Sequence, residues 1–204
     1  MPVVRELKNQ DYHLLVWKIT EELSFFAKEV LFNKSEMEEY GNISHESRKL
    51  EWLAARFVQR QLCKDALVKD TWGKPHLENE DGFVSIAHCH GYAAAIYSSK
   101  QAVGIDIEPI HDKVQRIAQK FLSASELSFI NTAGQTEHLI TCWSIKEAIY
   151  KWYGKKELSF IENIRIENFE LNDDKTSVLF VRENEREIKE VNFERIANLT
   201  LAYT

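Results

Sequence analysis

Apolar and polar positions alternate over short runs at the start of the chain, then switch to helical spacing. Leu14 to Ile19 (LLVWKI) predicts a strand. The segment after it, EELSFFAKEVL, sets Leu23, Phe26, Val30 and Leu31 on one helical face to be buried. Thr20 is placed to cap that helix, with Glu21 and Glu22 in its first turn. Ser44 to Cys63 predicts a longer helix, because Leu50, Leu53, Ala54, Phe57 and Leu62 fall near helical spacing and Ser44 or Ser47 can cap it. From Thr71 the period returns to two. Gly73-Lys74-Pro75 reads as a turn, Phe83 to His88 and Tyr92 to Ser99 as strands joined at His90-Gly91, and Ala102 to Ile110 as a third strand ended by Pro109.

Helical spacing resumes over Lys113 to Phe121. Ser123-Ala124-Ser125-Glu126 reads as a capping box opening another helix. Thr136 to Tyr153 predicts the longest helix, carrying Leu139, Ile140, Trp143, Ala148, Ile149 and Trp152 and stopping at Gly154. The remaining segments, IENIRIENFEL, TSVLFVREN, REIKEVNFER and ANLTLAYT, read as strands, and most of them alternate as half-buried antiparallel strands do. Strands and helices are segregated rather than strictly alternating, so the expected class is α+β. No internal repeat is visible along the sequence.

Composition narrows the class without changing this outline. The chain has 204 residues, 44% of them hydrophobic and 28% charged, with only 7 Gly and 3 Pro. That suits a packed globular chain with no long flexible linker. The net charge of −6 and the lack of a basic block argue against nucleic acid as a partner. No run reaches membrane-spanning length, and the first residues lack the apolar core of a signal peptide, so a cytoplasmic location is expected. Cys63, Cys89 and Cys142 are odd in number and far apart, as reduced thiols are.

Four patterns could carry chemistry. Asp106 and Glu108 are two apart in a strand, hence on one face, and two close carboxylates repel unless protonated or bridged by a cation. A hard ion such as Mg²⁺ suits oxygen ligands of this kind, although the pair taken alone reads as a solvated strand face. Glu147 and Lys151 are four apart on a helix, with Trp143 one turn earlier; alone they read as an ordinary ion pair beside a core tryptophan. His88 and His90 share a face at a strand end, open to zinc, to phosphate or to a structural role. Lys74 stands on a rigid turn, where a lysine can meet phosphate as a point charge.

In order, GKP (Gly73–Pro75), SIAH (Ser85–His88), GIDIE (Gly104–Glu108) and WSIKEAIYKWYGK (Trp143–Lys155) resemble the 4′-phosphopantetheinyl transferase superfamily, in its larger, Sfp-like class. Weaker matches at SRKLEWLAAR (Ser47–Arg56) and KFLSASEL (Lys120–Leu127) extend the resemblance over about residues 14 to 160. It implies two similar α+β halves, residues 1–100 and 101–204, forming an intramolecular pseudo-dimer that needs no second chain, with the coenzyme A and metal site in the cleft between them. It places Mg²⁺ on Asp106, Glu108 and Glu147, with Asp106 and Glu147 the firmest ligands and Glu108 either direct or through water. Lys151 falls near the pyrophosphate, and Arg48, Lys74, Pro75, Ser85 and His88 on the substrate side. Departures are Ala87 and Cys89 where serines are frequent, and a segment before Arg48 whose lysines are Lys28 and Lys34.

The implied activity is transfer of 4′-phosphopantetheine from coenzyme A to a serine of an apo acyl or peptidyl carrier protein, with 3′,5′-ADP released and Glu147 the candidate base. The resemblance does not choose between fatty-acid, polyketide and nonribosomal-peptide carriers. Such carriers are acidic, and Lys113, Arg116 and Lys120, with Ile117 and Phe121 beside them, form the expected docking face. Two other readings stand: a non-catalytic module binding coenzyme A or a carrier protein, and a divalent-metal phosphohydrolase.

Overall fold

Among the described residues the alternating segments form a four-stranded and a five-stranded β-sheet, each covered by one long helix, and a two-stranded ribbon. A computed structural model describes residues 2–183 and 185–204. The chain divides into two compact units between Ile105 and Asp106.

The first unit opens with β1 (Val3–Lys8) and β2 (His13–Lys18), paired antiparallel with Leu7 opposite Leu14. Three helices follow, α1 (Leu23–Glu29), α2 (Lys34–Gly41) and α3 (Glu46–Leu62), then β3 (Leu67–Lys69), β4 (Pro75–Leu77), β5 (Phe83–Cys89) and β6 (Tyr92–Ser98). The sheet order is β1-β2-β6-β5, and β3 pairs with β4, which runs beside β5. Helix α3 lies on β2, β5 and β6. It buries Leu53, Ala54, Phe57 and Val58 against Phe26, Leu15, Ala93 and Ala95. The alanines of β6 leave room for that close approach.

Three local expectations need correction. Leu31 is 84% exposed, because α1 ends at Glu29 and the chain turns outward. Neither Thr20 nor a serine caps α1 or α3; Glu22 and His45 hold those positions without a side-chain bond. Strand β1 and helix α2 were not anticipated. The sequence signal for α2 is Asn33 followed by Glu36, a capping box in which each side chain bonds the other's backbone N–H.

The second unit starts within β7 (Ile105–Pro109). A 3-10 turn (Asp112–Arg116), α4 (Ala118–Phe121), α5 (Ala124–Ser128) and another 3-10 turn (Thr132–Gly134) lead to α6 (Gln135–Tyr153). Then come α7 (Phe160–Asn163), β8 (Ile164–Ile166), β9 (Lys175–Arg182), β10 (Glu185–Ile196) and β11 (Leu199–Tyr203). The sheet order is β7-β11-β10-β9-β8, with α6 against β11, β10 and β8. Gly154 adopts φ 73° and ends α6 by bonding back to Tyr150, a left-handed conformation glycine reaches without cost. The single helix expected over Lys113 to Phe121 is instead a 3-10 turn and one α-turn, which breaks the helical spacing of Lys113, Arg116 and Lys120. Phe121 is buried in the core, so Ile117 alone remains of the expected apolar strip.

Omitting β1, the two units share one topology. The order β2-β6-β5, continued by β4 and β3, corresponds to β7-β11-β10-β9-β8, and α3 corresponds to α6. A buried ion pair recurs at the same place in each. In the first unit the capping-box residue Glu36 meets Arg56 at 3.2 Å and Arg60 at 2.8 Å and accepts from the Leu67 N–H. In the second, Ser123 and Glu126 form the capping box. Glu126 meets Lys146 at 2.7 Å and accepts from the Ile166 N–H.

Lys146 is 0% exposed and also donates to the Phe160 and Ile164 carbonyls at 2.8 and 2.7 Å. Burial pulls its pKa down and Glu126 pulls it back up. Removing one member of such a pair strands the other charge in the core. Lys146→Met is therefore expected to lower unfolding free energy by about 3–5 kcal/mol, measured by urea denaturation; a loss within experimental error would show that the pair does not hold the second unit.

Candidate active site in the second unit

Strand β7 supplies two carboxylates and α6 a third. Ile105 and Ile107 pack in the core, while Asp106, itself only 4% exposed, and the half-buried Glu108 fall on alternate positions. On α6, Trp143, Glu147 and Lys151 are successive turns of one stripe. Lys151 Nζ donates to Asp106 Oδ1 at 2.7 Å. The ion pair thus reaches across to the strand, rather than one turn back along the helix to Glu147. Trp143 Nε1 donates to Glu108 Oε1 at 3.4 Å, which gives the core tryptophan a polar task as well.

The electrostatics are unbalanced. Burial, then the Asp106 charge, pushes the Glu108 carboxyl up to about 7, with Glu147 adding and the Trp143 bond and Lys151 opposing. Burial and Asp106 also raise Glu147, against Lys151. Three carboxylates thus share one ammonium. Asp106 Oδ2 is buried and has no hydrogen-bond partner among the described residues, an expense that a cation would remove. All-oxygen donors with surplus negative charge fit a hard divalent ion. They do not yet converge: among the described residues no three His, Cys, Asp or Glu side chains are gathered into a metal-ligand set.

The remaining candidate residues lie in the first unit. Lys74 sits on a turn built by Asp70, whose Oδ1 accepts from the Trp72 and Lys74 N–H groups at 2.8 and 3.0 Å and whose Oδ2 meets His76 at 2.9 Å. Burial lowers the Lys74 pKa and Asp70 opposes that. Pro75 begins β4 directly after it. Ser85 is buried, and its hydroxyl accepts from the Ile105 N–H at 3.2 Å. Arg48 is exposed in the first turns of α3. His88 lies near the end of β5, with Nδ1 3.4 Å from Glu51.

Residues 102–204 of this chain, which span β7 and the whole second unit, match the model of the 4′-phosphopantetheinyl transferase superfamily. The chain belongs to that superfamily. A stretch of 122 residues is 27% identical to the 4′-phosphopantetheinyl transferase gsp of Aneurinibacillus migulanus, covering 58% of this chain and 48% of that protein. The chain spans about half the length of that curated relative. In this superfamily member Glu126, Lys146 and Glu51 lie inside the quoted motifs, but no motif assigns them a role, and Asp70 lies outside all of them. Glu126 is also legible as the fourth residue of a capping box.

The Lys151–Asp106 contact generates a direct test. Lys151→Met strands a buried carboxylate and is expected to cost about 1–3 kcal/mol. Asp106→Asn should cost less, and the double variant less than the sum of the two. Additive losses in denaturant titrations would mean that the pair is not coupled.

Proposed function

We propose that this chain transfers the 4′-phosphopantetheine group from coenzyme A to a serine hydroxyl of an apo carrier protein, releasing 3′,5′-ADP, with Mg²⁺ held by Asp106, Glu108 and Glu147. The observation that carries the reading is the environment of Asp106: a buried carboxylate with one oxygen on Lys151, one oxygen orphaned, and two further carboxyls raised by burial and by its charge. A site so loaded with negative charge attracts a cation and, through it, pyrophosphate.

Bound magnesium supplies positive charge for the pyrophosphate oxygens. The chain's own groups do the rest. Lys151 carries the ammonium of the carboxylate cluster and offsets charge on a phosphate oxygen. Glu147, its pKa raised by burial and Asp106, is poised to take the proton of the carrier serine. The serine oxygen then bonds to the phosphorus that bears the pantetheine arm, and the bond from that phosphorus to the bridging oxygen breaks toward 3′,5′-ADP. Arg48, Lys74, Pro75, Ser85 and His88 are assigned to coenzyme A, with Lys74 and His88 on phosphate. Trp143 orients Glu108.

Mass spectrometry tests the reading. The protein, coenzyme A, Mg²⁺ and an apo carrier should yield a carrier heavier by one phosphopantetheine, and a chelator should abolish the gain. Asp106→Ala and Glu147→Ala should each lower the rate about 100-fold or more with the fold retained by circular dichroism. No gain with acyl and peptidyl carriers alike would count against transfer. Tight coenzyme A binding without gain would favour the binding module, and phosphate release without a carrier would favour the phosphohydrolase.

The docking face is proposed at Lys113, Arg116 and Lys120, all exposed, beside exposed Ile117. Reversing Arg116 and Lys120 to Glu should weaken binding of an acidic carrier roughly 10-fold or more while coenzyme A affinity holds. Equal loss of both would remove the assignment.

A further inference from the structure

Glu51 stands on α3 one turn after Arg48, where α3 packs on β5. Its side chain is 17% exposed, and its two oxygens meet two histidines. Oε2 is 3.4 Å from His88 Nδ1, and Oε1 is 3.8 Å from His90 Nδ1. The acids of neighbouring α2 find cationic partners that are never neutral near pH 7: Glu36 meets Arg56 and Arg60, and Glu39 meets Arg56 and Lys69. The ion pairs of Glu51, among the described residues, run to imidazoles. His90 is 96% exposed and lies on the hairpin turn, so its contact is loose. His88 is held within the last residues of β5.

A carboxylate at Nδ1 acts on an imidazole in two ways. It accepts a hydrogen bond from Nδ1–H, which fixes the rotation of the ring and makes Nδ1 the protonated nitrogen of the neutral form. It also favours the charged ring, in which Nε2 carries a proton to donate. A phosphate near Glu51 would otherwise meet a bare negative charge, so the histidine between them converts repulsion into a hydrogen bond.

We propose that Glu51 is a positioning residue for His88, holding the ring by Nδ1 so that Nε2–H donates to a phosphate of coenzyme A. The inference rests on the assignment of His88 to phosphate. It adds a residue that touches no substrate, and it explains why a half-buried acid lies beside a segment meant for an anion.

The test uses Glu51→Ala, Glu51→Gln, His88→Ala and His90→Ala in the full chain, with calorimetric titration of coenzyme A and nitrogen-15 NMR of the histidine rings. In the wild type, neutral His88 should hold its proton on Nδ1; Glu51→Ala should lose that preference. Coenzyme A affinity should fall roughly 5-fold in Glu51→Ala, and the loss should fall on KM for coenzyme A more than on kcat. Glu51→Gln, which still accepts from Nδ1–H, should restore part of the affinity. The Glu51→Ala/His88→Ala double variant should be no weaker than His88→Ala alone, and His90→Ala should stay within about two-fold. Full additivity of the two losses, or an unchanged His88 tautomer in Glu51→Ala, overturns the proposal. Failure of the wild type to bind coenzyme A overturns the functional reading instead, and the ring tautomer still decides whether Glu51 holds His88.

Discussion

An ammonium group inside a protein is tolerable only where its hydrogen-bonding demand is met in full, and Lys146 sets that condition for the second unit. Its partners come from three other elements: Glu126 of α5, the Phe160 carbonyl at the start of α7 and the Ile164 carbonyl opening β8. Rotating α6 by a fraction of a turn would break all three. The register of α6 is thereby fixed at the residue before Glu147, and five before Lys151. The carboxylate and the lysine of the candidate site inherit their direction from a neighbour that plays no chemical part.

That constraint also explains what could be seen in the sequence and what could not. Long periodic segments are legible: α3, α6, the β5–β6 hairpin and strands β7, β9, β10 and β11 follow from apolar spacing alone, whereas IENIRIENFEL, expected as one strand, is helical up to Asn163 and a strand only over Ile164–Ile166. Their termini and the small elements were not. Edge strand β1 is mostly exposed, so it lacks the contrast that marks a strand buried on one face. The region over Lys113 to Phe121 has helical spacing in its apolar residues, yet it is split between a 3-10 turn and a single α-turn. The duplicated topology left no repeat because the two units keep roles rather than residues. Asn33 and Ser123 cap equivalent short helices, and Arg56 and Lys146 fill equivalent buried sites.

Within the site, alternation placed Asp106 and Glu108, and helical spacing placed Glu147 with Lys151. Neither could show that Lys151 would choose Asp106. The choice is electrostatic: Asp106 is the most buried of the three carboxylates, so an unpaired charge is costliest there, and Lys151 is long enough to reach it. Glu108 and Glu147 are raised first by burial and then by the Asp106 charge, and Lys151, bonded to Asp106, offsets only part of that. The pattern of charge in the sequence counted acids and bases; only the fold says which of them remain unpaired.

The shared topology sharpens the case for the cation. If Arg56 and Lys146 are counterparts, the residue after each is too, and there the first unit has Phe57 where the second has Glu147. Phe57 packs in the core against Phe26 and Trp17. Strand β2, the counterpart of β7, reads HLLVWK and holds no carboxylate. One scaffold therefore carries its acidic cluster in a single copy, with Phe57 at the position that corresponds to Glu147 and no carboxylate on the strand that corresponds to β7. Packing alone favours the apolar solution, since burying Glu147 and Asp106 raises the energy of the folded chain unless something offsets their charge. Three acids on a scaffold that takes phenylalanine at the position corresponding to Glu147 suit the proposed divalent-ion site better than they suit a structural core.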